Sequence, residues 1–285
     1  MSRTFLMFIS MMFTPTLWAA PAASVDGVQL PAWVERVGVK QPLQPGMSLA
    51  GGDAVVSGES ARVLLLLREG SRVRLGANAR LDLKELPSAK SDMFSATLDL
   101  VPGAFRFTTA KAKKALQRDV AVKIASITLG IRGTDVWGKA GVDKDIVCLL
   151  EGKVNVDHQG NHFDMDGDML FYIAPKDKPP LPLGPVTQKQ VDIWAKETDI
   201  QEGQGAITQN GKWRVYAGSF DSQQAVLERY DLLRNAGYPA QISPINKGGA
   251  TEYRVRINKV ASKTDAEYIV SSLAKLAVND ARASR

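Results

Sequence analysis

From Val34 to Ile173 the apolar residues come in short runs, alternating with polar ones and bounded by Gly, Asn and Asp. That period of two predicts many short strands. The clearest runs are Val63–Leu67, Arg72–Leu75, Thr97–Val101, Ala104–Phe107, Val120–Ile124, Ile146–Leu150 and Lys153–Val156. Glu69-Gly70-Ser71 and Glu151-Gly152-Lys153 each lie between two such runs, and each glycine is read as the positive-φ residue of a tight hairpin.

The pattern changes at Lys176. Pro179, Pro180, Pro182 and Pro185 stiffen the chain, and Val191, Trp194 and Thr198 then share one helical face in a segment that Gly203 is expected to end. Residues 176–211 are therefore read as a Pro/Gly-rich linker with a short helix docked on the β-rich domain, a stretch that few contacts should cross.

Alternation returns at Lys212, with Trp213, Val215 and Ala217 on one face and Arg214 and Tyr216 on the other. Asp221 with Gln224 has the spacing of a capping box. It opens a helix with Val226, Tyr230 and Leu233 on its apolar face, and Gly237 stops it. Two further strands follow, Tyr238–Ile245 and Thr251–Ile257, around the turn Lys247-Gly248-Gly249. Ser262 with Asp265 caps a second helix carrying Ala266, Ile269, Val270 and Leu273. The order is βαββα(β). The closing strand stays in brackets because Val278–Arg285 is short and polar, so a three-stranded sheet is one expectation.

The fold class that results has two domains. An all-β N-terminal domain, a sandwich or roll of short strands at 23–175, precedes an α+β domain of ferredoxin/RNP-like type at 212–285. The 285 residues suffice for two cores, and 45% hydrophobic with 23% charged residues is the balance of a globular protein.

Residues 1–22 read as a signal peptide: Met1-Ser2-Arg3-Thr4, an apolar run from Phe5 to Ala20, then small residues up to Ala23. Cleavage is expected between Ala19 and Ala23. Pro15 and Thr16 interrupt a run already short of the about 20 apolar residues a span needs, so cleavage is favoured over a retained anchor, with no transmembrane span afterwards. The destination is the periplasm.

Cys148 is the sole cysteine, which excludes an intramolecular disulfide; inside Ile146–Leu150 it reads as a small buried hydrophobe. Charge is uneven. Residues 23–175 carry 19 Lys/Arg against 18 Asp/Glu, whereas 212–285 carry 12 against 7, so a carboxylate-bearing partner is expected at the second domain. Asp157, His158, His162, Asp164, Asp166 and Asp168 cluster, but their spacing fits neither a zinc set nor the calcium-loop register. No metal or other cofactor is expected. No phosphate loop, nucleophile elbow or triad order appears, so no catalytic residue is assigned.

Two resemblances add to this reading. Pro45-Gly46-Met47, Gly52-Asp53-Ala54-Val55, Glu69-Gly70-Ser71-Arg72-Val73-Arg74-Leu75, Gly103-Ala104-Phe105, Gly130-Ile131-Arg132-Gly133-Thr134-Asp135-Val136 and Glu151-Gly152-Lys153-Val154 together resemble a FecR-type domain over 37–173. Such domains are periplasmic, β-rich, and occur in sensors and other envelope proteins. Val215-Tyr216-Ala217-Gly218-Ser219-Phe220 and Tyr253-Arg254-Val255-Arg256-Ile257, with the helices between and after them, resemble a SPOR domain. That family implies binding of peptidoglycan glycan strands stripped of stem peptides, as found at division septa, on the sheet face its helices leave open.

Amide cleavage leaves a carboxylate on each muramic acid, and an arginine fork suits a carboxylate. On this resemblance Arg214, Tyr216, Ser219, Arg254 and Arg256 are the expected glycan contacts, Tyr216 standing where the family has Gln.

The function expected is that of a non-enzymatic, exported wall-binding protein involved in cell division. Its FecR-like half would engage other envelope or division proteins. The alternative is a periplasmic FecR-type sensor using the SPOR domain as a wall anchor. A nucleic-acid binder also suits a basic βαββ module, but the adjacent stacking aromatics are missing and export removes the ligand.

Overall fold

A computed structural model describes residues 21–88, 93–110, 117–247 and 250–285. The expected signal peptide up to residue 20 and the Gly248-Gly249 turn lie outside the described residues.

The strand periodicity is realised as two sheets packed face to face. In the nine-stranded sheet the spatial order is Asn161–Asp166, Lys153–His158, Ile127–Ile131, Gln117–Ile124, Met93–Leu100, Arg80–Glu85, Ala54–Ser57, Ala32–Arg36 and Val39–Pro42. Met93–Leu100 and Gln117–Ile124 run parallel. The other sheet stacks Leu170–Pro175, Lys144–Glu151, Asp135–Ala140, Gly103–Thr108, Arg72–Leu75, Arg62–Leu67 and Ala23–Gln29 in that order. Inward residues of the two sheets, among them Leu65, Leu67, Leu75, Phe105 and Phe107 facing Leu81, Leu83, Phe94, Leu98 and Leu100, are fully buried. Each stabilises the sandwich by about 1.5–3 kcal/mol.

Gly70 makes the expected hairpin: φ is +95°, and Leu67 and Ser71 close the turn. Gly152 does not. Lys144–Glu151 belongs to one sheet and Lys153–His158 to the other, so the chain crosses the sandwich at Gly152. A positive φ serves a corner as well as a turn, and here it is +93° with a Cβ position only 2.5 Å from the Gly133 carbonyl oxygen. No other residue fits that approach.

Helix α1 (Gln188–Thr198) lies against the outer face of the large sheet. Thr187 caps it, and it ends at Asp199, four residues before Gly203, which was expected to end it. Trp194 stacks on the buried Trp137, centroids 4.7 Å apart and planes within 5°. Cys148 shares that cluster and is fully buried.

More contacts cross the 176–211 stretch than its Pro and Gly content predicts. Residues Ala206–Thr208 form a strand that pairs with Ala23–Gln29 on one side and, at Val260, with Ala250–Val260 on the other. Among the described residues the large sheet thereby runs on into the second domain as one 14-stranded sheet. Asp265, 1% exposed at the start of helix α3 (Lys263–Ala274), accepts hydrogen bonds from the backbone N–H groups of Gly205 and Ala206, both at 3.0 Å.

The second domain is a sheet covered on one side by helix α2 (Gln223–Asn235) and α3. Ser222, one residue beyond the expected Asp221, caps α2 by accepting from Ala225 N–H at 3.2 Å. Gly237, at φ +85°, ends it and lets the rings of Pro31 and Trp33 approach from the first domain. The closing strand exists: Arg282–Ser284 pairs antiparallel with Trp213–Phe220, giving four strands. Only backbone groups and three residues are needed, which is why polar side chains do not prevent it.

Candidate functional site

Strand alternation divides the second sheet into two faces. Val215, Ala217, Val255 and Ile257 point under the helices and are fully buried, so Arg214, Tyr216, Arg254 and Arg256 lie on the opposite face. Tyr216 stands directly across from Arg256, and Ser219, past a bulge, across from Arg254. All five residues expected to contact glycan are thus brought to one region of the sheet.

Three neighbours were not anticipated. Arg282 lies across from Tyr216 on the closing strand, its guanidinium carbon 5.5 Å from the tyrosine ring centroid. Gln241 lies across from Arg256 on the other side, and Asn258 donates to Gln241 Oε1 at 2.8 Å. Arg282–Tyr216–Arg256–Gln241 is a continuous cross-strand row, spanning three inter-strand gaps or about 14 Å. Arg282 was invisible because the strand carrying it was; the alternation of Gln241 and Asn258 was the available signal for the other two.

The arginines differ in state. Arg254 Nε is tied to Glu252 Oε1 at 2.7 Å. Arg256 Nε is buried with no hydrogen-bond partner among the described residues. A buried guanidinium donor without an acceptor is costly; the rest of the half-buried Arg256 guanidinium makes no hydrogen bond among the described residues either, so its terminal N–H groups are the ones left for an anionic oxygen placed over the sheet. Tyr216 contributes a flat apolar ring and a hydroxyl beside it.

In the first domain the motif residues hold the fold. Asp135 takes a two-pronged contact from Arg106, Nε–Oδ1 2.8 Å and Nη2–Oδ2 2.7 Å, which raises the Arg106 pKa further. Arg74 joins Thr108 of this network to Asp199 at the end of α1. Asp53 is buried and paired the same way with Arg36, at 2.7 and 2.6 Å, and also accepts from Ala50 N–H. Burial pushes the Asp53 carboxyl up, but the Arg36 fork, the Ala50 N–H and the arginine charge outweigh it and hold it below the usual range.

The acidic and histidine cluster is divided among separate contacts. His158 is buried against the Tyr172 hydroxyl at 2.8 Å, His162 pairs with Asp157 at 3.0 Å, and Asp164 with Lys153 at 2.8 Å. Among the described residues no group of three His, Cys, Asp or Glu is arranged to hold a metal, and no helix is long and apolar enough to cross a membrane.

Comparison with known families agrees with this architecture. The FecR protein family matches residues 53–155 and the SPOR domain family matches residues 209–281. The chain therefore carries a FecR domain followed by a SPOR domain, the latter a peptidoglycan-binding module; neither is a catalytic family. No curated protein matches. Two crystal structures, each of a candidate anti-sigma factor from Parabacteroides distasonis ATCC 8503, are similar to it. The structure at 2.50 Å shares 14% identity over 65% of this chain and 75% of that one; the structure at 1.65 Å shares 13% over 70% and 96%. The TM-score is 0.42 for both.

Proposed function

We propose that the protein is an exported envelope factor that holds denuded peptidoglycan glycan strands on the open face of its C-terminal sheet, and that the FecR domain serves as its interaction module for other envelope or division proteins. The observation that carries this is the cross-strand row through Arg282, Tyr216, Arg256 and Gln241, in which a basic centre holds an unsatisfied donor beside an aromatic ring. Lactyl carboxylates of bared muramic acids supply the acceptor, and the Tyr216 ring supplies a surface for a sugar to lie on.

Arg214, Tyr216, Ser219, Arg254 and Arg256 are the proposed contacts, Arg256 first among them because Glu252 already occupies Arg254. The proposed organisation is a signal peptide at 1–22, a FecR domain at 23–175, a connecting segment at 176–211 and a SPOR domain at 212–285, with residence in the periplasm and enrichment at the septum. The test is co-sedimentation of the mature protein with purified sacculi, before and after amidase treatment. Recovery in the pellet should rise on amidase treatment. Equal recovery in the supernatant with and without sacculi refutes the reading.

A further inference from the structure

The open face does not end at its edge strand. Beyond Gln241 the turn Gln44–Met47 of the FecR domain rises alongside the sheet, and a cleft of about 420 Å³ lies between the two domains. Gln44 and Met47 line it on one side; Pro239, Gln241, Asn258 and Lys259 line it on the other. Gln241 is the last member of the basic row, and Asn258 lies two residues from Arg256 on the same strand and the same face, so cleft and row are continuous.

The chemistry of this cleft differs from that of the row. Gln241 accepts through Oε1 from Asn258, which leaves the Gln241 Nε2 as donor and the Asn258 Oδ1 as acceptor side by side. Gln44 is exposed and adds a third amide, while Pro239 and Met47 add apolar surface. An acetamido group has one N–H, one carbonyl oxygen and a methyl, and matches this combination in each respect.

The wall is held in place. Lys259 Nζ donates to the Pro45 carbonyl at 3.1 Å, and Lys259 itself adopts φ +61°, a conformation a non-glycine residue keeps only when its surroundings impose it. The adjoining Val260 pairs with Ile207 of the bridging strand, so turn and sheet face are fixed relative to each other.

We propose that the interdomain cleft is a second subsite of the glycan-binding face, in which Gln44 of the FecR domain, with Gln241 and Asn258, holds the acetamido group of an N-acetylated sugar beside the one whose carboxylate Arg256 takes. The FecR domain then contributes directly to wall binding. This rests on the function proposed above.

The experiment measures binding of the full mature chain to two probes, the denuded strands released from amidase-treated sacculi and a single N-acetylated muramic acid with a free lactyl carboxylate. A single sugar whose carboxylate sits on Arg256 does not reach Gln44 in the cleft. Gln44→Ala should weaken long-strand binding about threefold to tenfold, the loss of one uncharged hydrogen bond, and leave the single sugar unchanged. Gln44→Trp, which fills the cleft, should weaken long strands more. Arg256→Ala should weaken both probes. Long-strand binding by both Gln44 variants equal to wild type, with Arg256→Ala impaired, overturns the subsite and leaves the basic row standing. Failure of the wild-type chain to bind long strands overturns the proposed function and the subsite with it. Melting curves that match wild type show that each variant is folded, and Gln44, being exposed, is a site where substitution should be tolerated.

Discussion

Asp265→Ala should damage the junction between the domains more than its place on a surface helix suggests. The wild-type carboxylate is 1% exposed and accepts from Gly205 N–H and Ala206 N–H at 3.0 Å each, besides the hydroxyl of Ser262. Alanine leaves two buried backbone donors without acceptors, at about 1–3 kcal/mol each. Removing a buried charge returns part of its desolvation cost, so the net loss should be about 2–4 kcal/mol. Gly205 and Ala206 lead directly into the strand that joins the sheets, so the variant should also expose Gly203–Gly211 to protease under native conditions. Both backbone N–H groups donate to Oδ1, so Asp265→Asn, which keeps that oxygen and alters only the position facing the Ser262 hydroxyl, should lose well under half as much. Urea unfolding and limited proteolysis on the three proteins provide the measurement. An Asp265→Ala chain with the wild-type midpoint and wild-type cleavage rate would refute the assignment of this carboxylate as the junction's anchor.

Other outcomes follow from the same structure. Asp53 is held below its ordinary 3.8, so its contribution to stability is fully present above that value and is lost as pH falls through its folded value; acid unfolding should be less steep in Asp53→Asn, and an unchanged acid limb would contradict the Arg36 pairing. Gly152→Ala places a Cβ 2.5 Å from the Gly133 carbonyl oxygen at φ +93° and should cost at least about 2 kcal/mol in a thermal or urea melt, whereas a neutral result would remove the sheet-crossing corner. Burial pushes the Cys148 thiol up to about 12, so iodoacetamide should leave the native protein unlabelled at mildly alkaline pH and label it after denaturation.

Much of this architecture is legible in the sequence because it depends on local pattern. The alternation in Val63–Leu67, Arg72–Leu75 and Tyr253–Ile257 determines which side chains are buried whatever the strands pair with, and Val255 lies under the helices accordingly. What escapes is what depends on distant partners. Gly70 and Gly152 sit in near-identical contexts, and only the tertiary pairing makes one a hairpin and the other a crossing between sheets. Arg282–Ser284 and Ala206–Thr208 are strands of three residues whose pairing is chiefly backbone, so neither leaves a periodic trace. Asp265 was readable as a partner of the Ser262 cap; its bonds to residues 59 and 60 positions away were not. The candidate site was legible as far as the two central strands reach, and Arg282, Gln241 and Gln44 were added by the fold around them.

The central claim is that the open sheet face binds glycan through charge complementarity, and the most direct measurement is the affinity of the full mature chain for denuded glycan strands, wild type against Arg256→Ala, at two salt concentrations. Loss of a charge-assisted hydrogen bond of about 1.5–3 kcal/mol predicts binding weaker by about 10- to 100-fold, with a smaller salt dependence and an unchanged melting temperature. Binding by Arg256→Ala as tight as wild type at both salts would contradict the account.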